Sequence, residues 1–381
     1  MYKNLFRFIR DQFQTEAFIP LHAPLIGALE KEIVNDCLAS TFVSSVGQHI
    51  TEFENDLKTL TAATDVVAVS NGTAALQLAL IAVNVKNGDE VITQALTFIG
   101  TANAISHTGA SPIFLDIEKD NLGLDPVKLE NFLSQETFLN DKQECINKKT
   151  GKKIAACVPV HLFGHPVKIN EINAICQKYF IPVIEDAAEA LGSYYQNQHL
   201  GTFGEIGILS FNGNKIITTG GGGALLFKDK NLALKIRHLS TTAKKPHPYE
   251  FFHDQIGYNF RLPAINAALG VAQLKRITHF LKSKRDLALS YQHFFSSREE
   301  KFFWEPAQSK SNFWLNAILL KDFEARENFL KQSLTENIMC RPVWKLIPFL
   351  PIYAHCQKGD LSNAIHIERC LVNLPSSARE F

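Results

Sequence analysis

The sequence has little of what marks several common protein classes. It has no C-x-x-C pair and no cysteine–histidine spacing of a metal site. Its seven cysteines (Cys37, Cys145, Cys157, Cys176, Cys340, Cys356 and Cys370) are scattered. That excludes a zinc ribbon or a disulfide scaffold and predicts reduced, partly buried thiols in a cytoplasmic protein. An excess of one charge is also missing. The 39 Lys+Arg nearly cancel the 38 Asp+Glu, leaving +1, without the basic face that nucleic-acid binding needs. No apolar run nears the roughly 20 residues of a membrane span. There is no internal repeat and no low-complexity tract. The opening MYKNLFRFIRDQFQTEAF alternates charges with aromatics and has no unbroken apolar core. It reads as a docking helix rather than a secretion signal, with an amphipathic helix touching a membrane or a partner as the alternative.

What is present fits a soluble enzyme: 381 residues, 46% apolar and 20% charged. Residues 28–60 have helix-like apolar spacing. From Asp65 the pattern alternates. DVVAVS, EVITQ, SPIFLDI, KIAACVPVHLFG, IPVIEDAA, IGILSF and GALLF read as strands. NGTAALQLALIAV, TFIGTANAISHTG, DPVKLENFLSQ and INEINAICQKYF read as helices between them. Such alternation predicts a parallel or mixed sheet with helices on both faces. The lysine-rich stretch Leu139–Lys153 reads as a surface insertion. Beyond about residue 230 long helical stretches lead into a mixed tail, predicting a large unit over 1–240 and a smaller one over 241–381.

Three motifs carry chemistry. In SNGTAAL (Ser70–Leu76) a strand ends, a polar turn follows and a helix begins. A helix N-terminus suits a phosphate, and Gly72 admits close backbone approach, though a plain capped helix has the same appearance. In IPVIEDAAEALG, Asp186 stands at the carboxyl end of an apolar strand, where open α/β sheets place ligand groups. A carboxylate there can keep a ring nitrogen protonated, and Glu185 and Asp186 can equally be plain loop acids. In SFNGNKIITTGGGGALLF, Lys215 precedes four glycines. A lysine in a dry site favours the neutral amine that attacks an aldehyde. A glycine hairpin with its lysine in solvent is the alternative.

In this order the motifs resemble those of the aspartate-aminotransferase-like enzymes (fold type I) that use pyridoxal 5'-phosphate. In detail, SNGTAAL, TFIGTANAI, VPVHLFGHP, EDAAEALGS, ILSFNGNKIITTGGGG and GYNFRLPAINAALGVAQL resemble the DegT/StrS nucleotide-sugar aminotransferases, from about Phe18 to Leu374–Ser377. The resemblance implies a large mixed-sheet α/β/α domain and a smaller C-terminal α+β domain. It implies Lys215 as the Schiff-base lysine and Asp186 as the partner of the pyridine nitrogen. Gly72, Ser210 and the backbone at Thr73–Ala74 would hold the phosphate, and Phe98 would stack on the ring. Asn259 would reach the phosphate across a homodimer interface with shared active sites. Glutamate is the implied amino donor. Sugar dehydratases of the family carry histidine in place of the lysine, so Lys215 points to transamination. Glu189 stands where many members have glutamine or histidine. With the flanking motifs it resembles the aminotransferases that make UDP-N-acetylbacillosamine for legionaminic-acid-type surface sugars. Glu189 would lie near the sugar, and Arg341 suits the diphosphate. A cysteine desulfurase would need a cysteine in a glycine-rich loop, and none is there. A regulator would need a fused DNA-binding domain, for which the resemblance leaves no room.

Overall fold

The structure, a computed structural model, describes residues 2–380. Seven strands build the main sheet: β1 (Asp65–Val69), β2 (Glu90–Gln94), β3 (Ser111–Leu115), β4 (Ile154–Val158), β5 (Ile184–Asp186), β6 (Ile206–Ser210) and β7 (Gly223–Phe227). Strands β3-β2-β4 pair in parallel. Strands β5-β6-β7-β1 form the other half, with β7 antiparallel to both neighbours. Parallel bridges Cys157↔Val183 and Val160↔Asp186 join the halves into one mixed sheet.

The two faces follow from the period of two along each strand. Val67, Val69, Ile206, Ile208, Leu225 and Phe227 pack on one face with helices α4 (Gly72–Ala82), α5 (Ile99–His107) and α8 (Lys230–Ser240). Their neighbours Val66, Ala68, Leu209, Ala224 and Leu226 pack on the other with α3 (Gln48–Thr61) and α9 (Ala264–Lys275). Helices α6 (Pro126–Glu136) and α7 (Ile169–Lys178) complete the cover over β2–β4.

A second, antiparallel sheet is made of β8 (Lys301–Phe302), β9 (Asn316–Leu319), β10 (Arg341–Pro342) and β11 (Leu371–Leu374), in the order β8-β9-β11-β10. Its core includes Tyr291 and Phe295 of α10 (Ile277–Phe295) and Phe329 of α11 (Phe323–Thr335). Helix α1 (Lys3–Phe13) docks there too, burying Leu5, Phe6 and Ile9.

Three expectations need correction. The helical run over 28–60 is two helices, α2 (Ala28–Ser40) and α3, because Thr41 turns left-handed at φ 62°. The strand expected over KIAACVPVHLFG stops at Val158, where Pro159 has no amide to donate. Leu139–Lys153 is not wholly surface. It closes a hairpin, Thr137–Leu139 with Cys145–Asn147. Its Asn147 is buried, donating to Glu90 at 2.7 Å and Gln357 at 2.8 Å.

Candidate active site

Strand register assembles the site. Val69, Gly223 and Ser210 lie side by side at one sheet edge, and Ile208 of β6 faces Asp186 of β5. The turn after β1 therefore opens α4 directly over the end of β7. This needs glycine at two positions. A Cβ on Gly223 would lie 2.5 Å from the Asn71 carbonyl carbon, and one on Gly72 would lie 2.9 Å from the Ser210 Cβ. Asn71 caps α4, its side-chain oxygen accepting from the Ala74 amide at 2.8 Å. The Ala74 amide is thus engaged, which shifts the free donors to Gly72 and Thr73, whose amides have no intrahelical acceptor.

Asp186 is 6% exposed. It accepts from the Thr101 hydroxyl at 2.8 Å and the Ala188 amide at 3.2 Å. Thr97 adds a hydroxyl bond to Thr101 at 2.9 Å. Burial pushes the Asp186 carboxyl up, while its hydrogen bonds pull it down by less. Glu185, next along the strand, points the other way. It accepts from His161 and from the amides of Gly201, Phe203 and Gly204, and its carboxyl is lowered despite its burial. Those four donors saturate Glu185, whereas Asp186 has a shortfall that a cationic nitrogen would fill.

Lys215 sits on the loop between β6 and β7. Its Nζ lies 3.4 Å from Glu189 Oε1 and 3.9 Å from the Trp314 ring centroid. Glu189 is buried, and its Oε2 accepts from the Phe163 amide at 2.8 Å. Burial raises its carboxyl, with the Lys215 ammonium pulling the other way.

Gly72, Thr73, Phe98, Asp186, Glu189, Ser210 and Lys215 line one cavity of about 280 Å³, near the lower end of small-molecule sites. Phe98 is 52% exposed at its rim, edge-on to Trp344 at 5.9 Å. Two expected residues stand elsewhere. Arg341 lies on the edge strand β10, exposed to solvent and outside the cavity lining. Asn259 is also exposed outside it, its side-chain oxygen accepting from Arg261 at 3.2 Å. Sequence reasoning missed Trp314, Trp344 and Thr101. Thr101 was findable, one helical turn after Phe98 in the motif TFIGTANAI.

Pyridoxal phosphate fits these residues. The amides at the start of α4 and the Ser210 hydroxyl suit its phosphate. Buried Asp186, short of donors, suits its ring nitrogen.

Comparison with known proteins agrees with that geometry. Residues 24–379 match the DegT/DnrJ/EryC1/StrS aminotransferase family. The chain is 37% identical over 360 residues to the GDP-perosamine synthase of Escherichia coli O157:H7, covering 94% of this chain and 93% of that one. It is 32% identical over 366 residues to the GDP-perosamine synthase of Vibrio cholerae, covering 94% of each. Helicobacter pylori PseC, an aminotransferase involved in the biosynthesis of pseudoaminic acid, superposes with a TM-score of 0.85 at 25% identity, over 94% of this chain and 93% of that one. The chain belongs to the DegT/DnrJ/EryC1/StrS aminotransferase family and is a pyridoxal-phosphate-dependent sugar aminotransferase.

Proposed function

We propose that this enzyme moves an amino group from L-glutamate to carbon 4 of a nucleotide-linked 4-keto-6-deoxy sugar, for surface polysaccharide or glycan synthesis. The observation that carries this reading is Lys215 Nζ at 3.4 Å from buried Glu189, in the cavity that also holds Asp186 and Ser210. When bound, pyridoxal phosphate would supply an electron sink and a carrier for the amino group. The amides of Gly72 and Thr73 and the Ser210 hydroxyl would hold its phosphate, and Phe98 at the rim would pack on its ring. The Asp186 carboxylate, oriented by Thr101, would keep a proton on the ring nitrogen. Lys215 Nζ would carry the proton that the transfer requires, and its place in the cavity with Asp186 and Ser210 would make that transfer effectively unimolecular. Glu189 orients the ammonium and faces the sugar.

For the substrate, the glutamate at position 189 supports UDP-2-acetamido-2,6-dideoxy-4-ketohexose, giving UDP-N-acetylbacillosamine as in the legionaminic acid route. A GDP-linked 4-keto-6-deoxy sugar is the second reading, favoured by the names of the Escherichia coli and Vibrio cholerae relatives. Incubation with glutamate and a panel of UDP-, GDP- and dTDP-linked 4-keto sugars, read by mass spectrometry, separates these. Amination of the UDP-acetamido sugar alone supports the first reading, and amination of the GDP sugar alone the second. No aminated product from any sugar contradicts the activity.

The proposal includes a cytoplasmic homodimer in which Asn259 reaches the cofactor phosphate of the partner's site, and Arg341 contacts the diphosphate of the substrate. Sedimentation of the full chain as a monomer would contradict it. All seven cysteines are free and buried, and among the described residues no helix is long and apolar enough to cross a membrane. The division at residues 240 and 241 stays part of the proposal, with two exchanges that packing supports. Helix α1 goes with the second sheet, and α9 with α2 and α3.

A further inference from the structure

Trp314 enters the cavity from the segment just before β9, about a hundred residues beyond the lysine that it meets. Its indole face lies 3.9 Å from Lys215 Nζ, and Glu189 Oε1 lies 3.4 Å from the same atom. An aromatic face and a carboxylate therefore receive one ammonium. The lysine side chain is only 13% exposed, so water screens these contacts weakly.

Both walls are fixed. The Trp314 amide donates to Asn312 Oδ1 at 2.8 Å, and its indole N–H donates to the Asn214 carbonyl at 2.6 Å. Its own carbonyl accepts from Lys284 Nζ at 3.1 Å. Lys284 is fully buried and also bonds His22 Nε2 at 3.0 Å and the Ser376 carbonyl. Asn312 serves the other wall as well, its Nδ2 donating to the carbonyls of Glu189 and Leu191, each at 2.9 Å. One side chain thus ties the tryptophan to the glutamate. The bond from Trp314 to Asn214 ties the same ring to the backbone beside Lys215. Such a braced arrangement cannot be accounted for by core packing alone, because its open face is aimed at the reactive amine.

We propose that Trp314 and Glu189 form a seat for the free Lys215 ammonium, and that Trp314 is a positioning residue setting how readily Lys215 leaves that seat for the cofactor aldehyde. The inference rests on the reading of Lys215 as the lysine that bonds the cofactor. In reacting, Lys215 gives its ammonium proton to solvent and bonds through Nζ to the aldehyde carbon, and the aldehyde oxygen leaves as water. The seat holds the charged amine, so it opposes this step and favours its reversal, when the amino donor displaces the lysine.

Equilibrium dialysis of the cofactor-free full chain against two probes tests this. Pyridoxal phosphate takes Lys215 out of the seat, whereas pyridoxamine phosphate makes no bond to lysine and leaves it there. Trp314→Leu is expected to shift the ratio of the two dissociation constants about tenfold toward pyridoxal phosphate, the size of a partly desolvated cation–π contact. Trp314→Phe keeps a ring face and is expected to shift it about threefold. That variant carries the test if the leucine protein does not fold. An unchanged ratio, or an equal weakening of both probes, overturns the seat. Lys215→Ala separates the underlying assignment. If that variant keeps the wild-type preference for pyridoxal phosphate, Lys215 is not the bonding lysine, whatever Trp314 does.

Discussion

Asp186 and Glu189 both place buried carboxylates on the cavity, yet of the two only Glu189 forms an ion pair with Lys215. Asp186 accepts two hydrogen bonds and is pushed up by burial. A folded-state pKa above the unfolded value means that the native state binds this proton more tightly. Its contribution is full below the ordinary 3.8 and is lost as pH rises through the raised value. Above that raised value the ionised group therefore weakens the cofactor-free fold. Asp186→Asn removes the charge and keeps the Ala188 bond on Oδ1, while the Thr101 hydroxyl reverses to accept from Nδ2 and donates to Thr97 instead. It is predicted to raise the melting temperature of the cofactor-free protein by about 2 °C, the size of roughly 1 kcal/mol. The same variant is predicted to lose most transamination. A calorimetric scan showing lower stability would contradict this account of the carboxylate. At this scale the local motifs were legible: the turn at Gly72, Asp186 at a strand end and Lys215 before the glycines all reach one cavity. Trp314 was not legible, since SNFWLN carries no local signal and only the tertiary fold brings it to Lys215.

Among the elements, the junction of β1, β7 and the start of α4 controls the phosphate end of the cavity. A Cβ at Gly223 meets backbone rather than a side chain, so relief requires moving the helix start. Gly223→Ala is predicted to cost about 2–3 kcal/mol in denaturant unfolding and to weaken cofactor binding. A variant with wild-type stability and affinity would show that this close approach is not needed. The core strands were readable because they are short apolar runs bounded by turns. EVITQ coincides with Glu90–Gln94. Breaks inside helical patterns were not readable. The run from Pro263 to Phe295 divides at Arg276, where the backbone leaves the helix at φ −104° and ψ 1°. Arg276 there pairs with buried Glu30, a contact about 250 residues away that periodicity does not show.

The whole molecule puts its chemistry where a mixed sheet ends and segments from distant parts of the chain converge. α/β alternation showed the main sheet in advance, but not that β7 runs against both neighbours. That reversal lets β6 and β7 form a hairpin whose loop carries Lys215. The docking of α1 on the second sheet was legible only as an amphipathic pattern, since a helix does not name its partner. Catalysis here turns on one residue acting through one bond, and chemical trapping reads that bond most directly. The full-length protein is loaded with pyridoxal phosphate, reduced with borohydride, digested and mapped by mass spectrometry. The pyridoxyl label is expected on Lys215 alone. A label on another lysine, or spread among surface lysines, would contradict it.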